Sequence, residues 1–320
     1  MGEPAQKLHL NKRVYAARLG LLLTAIFWGS SLTVVKTAAN VFSPDLILTL
    51  RFGIAFVILA LIYFKKLKRA TKEDYKAGIK IGLFLFLAYY SQTLGVKNSD
   101  PGRSGFLSAT YCVIVPFLEA IFYKEKVDIS SIIGAFLCVI GIFSISVLGA
   151  QTVAIPSNNR IVGDLLALLS GALFAAHIVA VAHIGSDKDP ILMTIIQFLT
   201  ATILSSLMMI INAHPVAGMV NFEPILEVLY LAIFCTAIAL LLQNIAQKNT
   251  DSTSASIILG TESVFGVLFP VLLGIEKLTV FNVIGFILIG SAILITEIKP
   301  KLIIGESQST VSAREKGPFV

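Results

Sequence analysis

The chain has 320 residues, of which 56% are hydrophobic and 14% charged, and its mean hydropathy is +0.86. A soluble domain carries about a quarter of its residues as charges, so this sequence cannot cover itself with polar surface in water and belongs in a bilayer. Its net charge of +6 does not point to nucleic acid, because the basic residues lie between apolar runs and read as topology signals.

A helix needs about 20 apolar residues to cross the hydrocarbon core. In chain order the candidate spans are 19–38, 46–64, 78–97, 103–123, 129–149, 162–184, 190–212, 226–247, 252–274 and 280–298. Ten spans with short connections predict an all-α membrane protein, a compact bundle of antiparallel neighbours. The apolar run after Arg18 continues for a full span with no small-residue cleavage site, so it is not read as a cleaved signal. The tail after Lys299 is polar and expected to be mobile. Cys112, Cys138 and Cys235 sit inside apolar runs without metal-ligand spacing and read as small hydrophobes. No disulfide, metal or cofactor is expected.

The basic residues are unevenly placed. Four precede the first span (Lys7, Lys12, Arg13, Arg18) and seven crowd the second connection (Lys65, Lys66, Lys68, Arg69, Lys72, Lys76, Lys80). Four more lie in the alternate connections (Lys124, Lys126, Lys188, Lys248) and four on the tail (Lys299, Lys301, Arg314, Lys316), so 19 of the 25 fall on one side. Basic loops stay in the cytoplasm. The expectation is a multi-pass protein of the inner (cytoplasmic) membrane with both termini cytoplasmic.

The chain also repeats itself. The segment from Gln92 aligns without a gap with the segment from Gln243, at a constant offset of 151. Gln92 meets Gln243, Lys97 meets Lys248, Asn98 meets Asn249, Asp100 meets Asp251, Thr110 meets Thr261, Glu125–Lys126 meets Glu276–Lys277, and Gly134 meets Gly285. A shared membrane composition explains matched leucines but not matched polar residues at one offset. Segments 1–18 and 299–320 are read as cytoplasmic, with repeats at 19–149 and 162–298. Each repeat holds five spans, an odd number, so the second copy enters the membrane inverted. Inverted repeats are a mark of secondary transporters, with substrate bound near the midplane between the halves.

Particular residues carry a family likeness: Trp28-Gly-Ser-Ser-Leu-Thr-Val-Val-Lys36 in the first span, Gln92-x-x-Gly-Val-Lys-Asn-Ser at the end of the third, Pro116 in the fourth, and the Glu-Lys pairs at Glu125 and Glu276. Over about residues 15 to 298 the chain resembles the EamA-type members of the drug/metabolite transporter superfamily. The resemblance implies a cytoplasmic-membrane carrier of small organic solutes, often amino acids or related metabolites, frequently outward. It does not fix the substrate. The rival readings are a channel or non-transporting scaffold and, more weakly, a membrane-embedded enzyme. The sequence has no HExxH, GxSxG, intramembrane aspartate pair or phosphate loop. The expected partners are a small-molecule substrate and the bilayer, with a homodimer kept open.

Depth along the spans, at 1.5 Å per residue, selects the candidate site residues. Lys36 lies roughly 27 Å beyond Arg18, near the outer surface, either snorkelling to the interface or standing at the cavity mouth. Arg51 lies roughly 7 Å below the outer boundary and must face a partner or the interior. The two cations together suit a carboxylate or phosphate; the bland alternative pairs Arg51 with Asp45 or with headgroups. Glu262 sits at roughly 15 Å, the midplane, where a carboxylate must be protonated, paired or wet. It is a candidate for a substrate amine or a proton, against a structural hydrogen bond. Its repeat twin is Tyr111, and Thr110 and Thr261 flank the two.

Trp28 is too deep for an interfacial belt. It is placed in an aromatic cavity wall with Tyr89, Tyr90 and Tyr111, with Ser30 and Ser31 as local hydrogen-bonders; the alternative is packing, with both serines bonding their own helix. Gln92 and Gln243 are symmetric candidates for polar gates. His177 is either a hydrogen-bonded helix contact or a proton relay, and Glu119 pairs with Lys124 or reaches water. Gly105-x-x-x-Ala109 and Ser256-x-x-x-Gly260 are small-residue faces for close helix contact, and Pro116 and Pro270 are expected to bend their helices.

Overall fold

A computed structural model describes residues 3–99, 101–124, 128–148, 157–213, 222–272, 274 and 277–297. The Glu125–Lys126 pair, Asp100, Glu276 and the tail after Lys299 lie outside the described residues. The bundle consists of α1 (Lys12–Ala38, the apolar part of a helix that starts at Glu3), α2 (Pro44–Ile62), α3 (Lys72–Asn98), α4 (Pro101–Phe122), α5 (Ile129–Leu148), α6 (Asn159–Ile184), α7 (Pro190–Asn212), α8 (Phe222–Ala246), α9 (Ser252–Phe269) and α10 (Val280–Thr296). The first nine are long and apolar enough to cross a membrane, and α10 is a shorter apolar helix. Among the described residues there is no strand. The chain is an all-α membrane protein.

Local chemistry explains the helix starts that hydropathy misplaces. The third span begins at Lys72 rather than 78 because Thr71 and Asp74 form a reciprocal cap: the Asp74 N–H donates to Thr71 Oγ1 at 3.2 Å and the Thr71 N–H to Asp74 Oδ2 at 2.9 Å. α2 and α7 start alike. Ser43 and Asp189 accept from the N–H groups of Leu46 and Ile191, and Pro44 and Pro190 follow at the first helical position. These pairs stand 146 positions apart, and so do Phe52 and Phe198. The first two helices of each half therefore match at an offset of 146, and the remaining three at 151.

Helix packing obeys the same exchange. α3 packs on α6 as α8 packs on α1, α4 packs on α6 as α9 on α1, and α3 packs on α7 as α8 on α2. The pairs α2–α7, α4–α9 and α5–α10 map onto themselves. The α5–α10 contact shows the twofold at the level of atoms. A Cβ on Gly141 would lie 2.9 Å from the Gly285 carbonyl oxygen, and one on Gly134 would lie 3.1 Å from that of Ala292. An offset of 151 exchanges these two contacts. With no aqueous driving force between helices in lipid, such close backbone approach supplies the packing energy.

The connections at one end carry the dense lysine and arginine set; this is called the basic end below. It is tied by Lys66 to Asp189, by Lys188 to Asp187 at 3.3 Å and Asp74 at 3.8 Å, and by His183 to Glu119 at 2.5 Å. The Glu119 partner is thus His183 of α6, whose ring stacks 3.5 Å from that of Tyr123, not Lys124. The opposite end is tied by Asp164, which accepts from Ser99 Oγ and Arg103 Nε at 2.7 Å each.

Two outcomes test this packing. Gly141→Val drives a side chain into the Gly285 backbone, and overpacking of this kind costs about 1–3 kcal/mol; a lowered melting temperature in detergent checks it. Asp189→Ala removes an N-cap and is expected to cost about 1 kcal/mol. Partial burial pushes the Asp189 carboxyl up, but Lys66 and the N–H groups of Ile191 and Leu192 outweigh it and hold the group below its ordinary range. A depressed carboxyl stabilises fully above its unfolded pKa and ceases to do so as pH falls through the lower folded value. The melting-temperature gap between parent and variant is therefore expected to hold at neutral pH and close only in strong acid.

Candidate functional site

α4 and α9 are each interrupted near the middle. α4 is helical to Ser108 and resumes at Tyr111; α9 is helical to Leu259 and resumes at Glu262. The interruptions are twins at the 151 offset. They fall before the prolines rather than at them: Pro116 lies inside the continuous helix Tyr111–Phe122. Non-helical backbone at this depth is tolerated only where it is buried in protein or lines a cavity. Here the residues that restart the helices meet, with the Tyr111 hydroxyl donating to Glu262 Oε1 at 3.3 Å. Both are buried, at 3% and 8% exposure.

A narrow cleft adjoins this pair; the space not filled by atoms, open solvent included, is about 300 Å³. Trp28, Ser31, Leu32, Tyr89, Gln92, Tyr111, Phe174 and Glu262 line it. Six of the ten residues selected from the sequence thus come together from α1, α3, α4 and α9. The wall is aromatic: Phe174 stands edge-on to Tyr89 at 5.1 Å and to Tyr111 at 6.4 Å between ring centroids. The Trp28 indole N–H is committed to the Cys235 carbonyl at 3.0 Å, which leaves the rest of the ring to the cavity. Ser31 donates to the Trp28 carbonyl at 2.9 Å and keeps its lone pairs. The site joins apolar faces to one carboxyl, Glu262, and one amide, Gln92.

The other four residues stand elsewhere. Arg51, 1% exposed, donates to Thr236 Oγ1 and, at 3.1 Å, to the Cys235 carbonyl, and it stacks 4.5 Å over the Tyr89 ring. It therefore braces the cavity wall from behind, and its guanidinium does not bond Asp45, which accepts from Asn212 at 3.0 Å. Lys36 does not line the cavity. Its ammonium donates to the carbonyls of Val96, Lys97 and Ser99 at 2.9, 2.9 and 3.0 Å, capping the end of α3. His177 is bonded to Gln197 Oε1 at 2.9 Å, and Gln243 donates to Gln247 Oε1 at 3.0 Å. Tyr90 is not in the wall; it stacks on Phe86 and accepts from Asn212 at 3.2 Å. Ser30 bonds the Phe27 carbonyl and the Tyr230 hydroxyl.

Sequence reasoning missed Phe174, Leu32, Cys235 and Thr236. Phe174 had a signal: it stands 146 positions after Trp28, as its twin. Cys235 and Thr236 act through a π-helical turn at Ile233–Ile238, which shifts the backbone bonding so that one carbonyl serves both Trp28 and Arg51. Close contact of α1 with α9 sets the cavity width. A Cβ on Gly29 would lie 2.6 Å from Phe265 Cβ and 2.8 Å from the Glu262 carbonyl oxygen.

Arg51→Lys keeps the charge but loses the planar stack on Tyr89 and the two-point grip on α8. The expected cost is roughly 2 kcal/mol or more, read as a lower melting temperature in detergent. A change equal to that of a surface lysine substitution would contradict this role.

The EamA-like transporter family model matches the chain twice, at residues 16–147 and 161–298. A protein of Archaeoglobus fulgidus described as an uncharacterized transporter is 33% identical over 288 residues, covering 90% of this chain and 87% of that protein. The uncharacterized transporter YyaM of Bacillus subtilis is 22% identical, covering 88% of this chain and 92% of that protein. A solved crystal structure, 19% identical, has the same fold, with a TM-score of 0.73 over 88% of this chain and 96% of that chain. Matched twice by the family model and 33% identical over 288 residues to a protein described as an uncharacterized transporter, the chain belongs to the EamA-like transporter family.

Proposed function

We propose that this membrane transporter is a secondary carrier of small organic solutes, amino acids or closely related metabolites, working by alternating access. The observation that carries the reading is the meeting of Tyr111 with Glu262, 151 residues apart, where both twin helices are interrupted beside the cavity. A solute held there touches both halves, so exchange of their conformations moves its access from one face to the other. Glu262 and Gln92 serve as the polar recognition groups, Trp28, Tyr89, Tyr111 and Phe174 as the aromatic enclosure. Chemistry on the solute has no part in this reading.

The basic end is taken as cytoplasmic, in the cytoplasmic membrane, with both termini on that side. The repeats are 19–149 and 162–298, flanked by cytoplasmic segments 1–18 and 299–320. Tags inserted after Lys65 and after Lys277 are then expected on opposite faces. Finding both on one face overturns the inverted arrangement.

In proteoliposomes, counterflow of radiolabelled amino acids is expected to saturate and to be stimulated by unlabelled solute on the far side. Flux linear in concentration without that stimulation means a channel. Glu262→Gln is expected to slow counterflow about tenfold or more, the equivalent of one charge-assisted hydrogen bond to the solute.

A further inference from the structure

At the basic end a second cavity lies between α3, α6, α7 and α8, with about 460 Å³ not filled by atoms, part of it open to solvent. Its wall includes Ala182, Gly185, Gln197, Asn244, Gln247 and Lys248. Among the described residues, Asn244 Oδ1 accepts nothing and Gln197 Nε2 donates to nothing, although these side chains are 2% and 0% exposed. The Thr194 hydroxyl donates to the Pro190 carbonyl at 2.7 Å, so it accepts from Asn244 Nδ2 at 2.7 Å, and Oδ1 is left over. Buried polar atoms without partners are rare in native proteins and need an explanation.

The repeat supplies one. At the opposite end Lys36 lays its ammonium on the carbonyls that finish α3. An offset of 146 carries Lys36 to Ala182, and an offset of 151 carries Val96 and Lys97 to Gln247 and Lys248. At the basic end a methyl group replaces the lysine, and a cavity occupies the place its side chain would fill. The last carbonyls of α8 carry the negative end of the helix dipole there.

We propose that this cavity binds the primary ammonium group of a small α-amino acid. The ammonium takes the position that Lys36 holds in the twin, on the Gln247 and Lys248 carbonyls, with Asn244 Oδ1 as a third acceptor. The carboxylate faces Gln197 Nε2 and the Lys248 ammonium. Ile81 and Tyr89 of α3 line the two cavities eight residues apart, about 12 Å along the helix. The site is thus a waiting position below the central one. Its role in transport rests on the carrier reading above, whereas binding itself does not.

The test uses the full chain in detergent. Ser186 lines the cavity and is exposed, and the three native thiols are buried, so Ser186→Cys gives a selective target for a maleimide. The probes are alanine, serine and leucine, with N-acetylalanine as the match that lacks an ammonium group. At least one free amino acid is expected to slow labelling several-fold, and N-acetylalanine to leave it unchanged. Asn244→Leu is expected to abolish protection. Ala182→Lys is expected to abolish it too while raising the melting temperature, because a tethered ammonium then fills the acceptors. No protection by any amino acid, equal protection by N-acetylalanine, or protection surviving Ala182→Lys overturns the proposal. Protection without counterflow overturns the carrier reading and leaves this site standing; counterflow without protection does the reverse.

Discussion

A guanidinium removed from water has to be held by protein on every side, and Arg51 is held that way. Its partners come from α8, through Thr236 and the Cys235 carbonyl, and from α3, through the Tyr89 ring. Charges inside a membrane are costly enough that their partners become fixed points of the fold. Because the same Cys235 carbonyl accepts from Trp28, one π-helical turn sets the relative positions of α1, α2, α3 and α8. Two cavity-lining rings, Trp28 and Tyr89, are tied to that turn. The shape of the cavity is therefore a consequence of where one buried cation finds its hydrogen bonds.

Much of the architecture was readable in the chain. Hydropathy places the spans, and matched polar residues reveal the duplication over the last three helices of each half. What it hides is informative. The first two helices of each half follow a different offset, so Phe174 was not recognised as the counterpart of Trp28, nor Gln197 as that of Arg51. The helix interruptions are also hidden: Ala109 and Thr110 have no strong helix-breaking chemistry, Gly260 reads as part of a small-residue face, and the nearby prolines draw attention instead.

Depth alone could not decide side-chain partners. The target of Lys36, the end of α3, depends on which helix lies beside α1. Glu119 finds His183 rather than Lys124 because α4 packs on α6. Asn212, not Arg51, donates to the Asp45 carboxylate. In each case the sequence supplies the need for a partner, and the packing supplies its name.

Two perfectly matched halves would give a molecule with no preference between the two forms that its twofold exchanges. This chain departs from that balance at chosen places: Arg51 stands opposite Gln197, and Lys36 opposite Ala182. Both cations lie toward the end remote from the basic connections, and both are fully engaged there. On the carrier reading proposed above, such unmatched residues are what can make the two access states unequal in energy. A difference of only about 1.4 kcal/mol tilts such an equilibrium tenfold, so a handful of unmatched residues suffices to set which door stands open when nothing is bound.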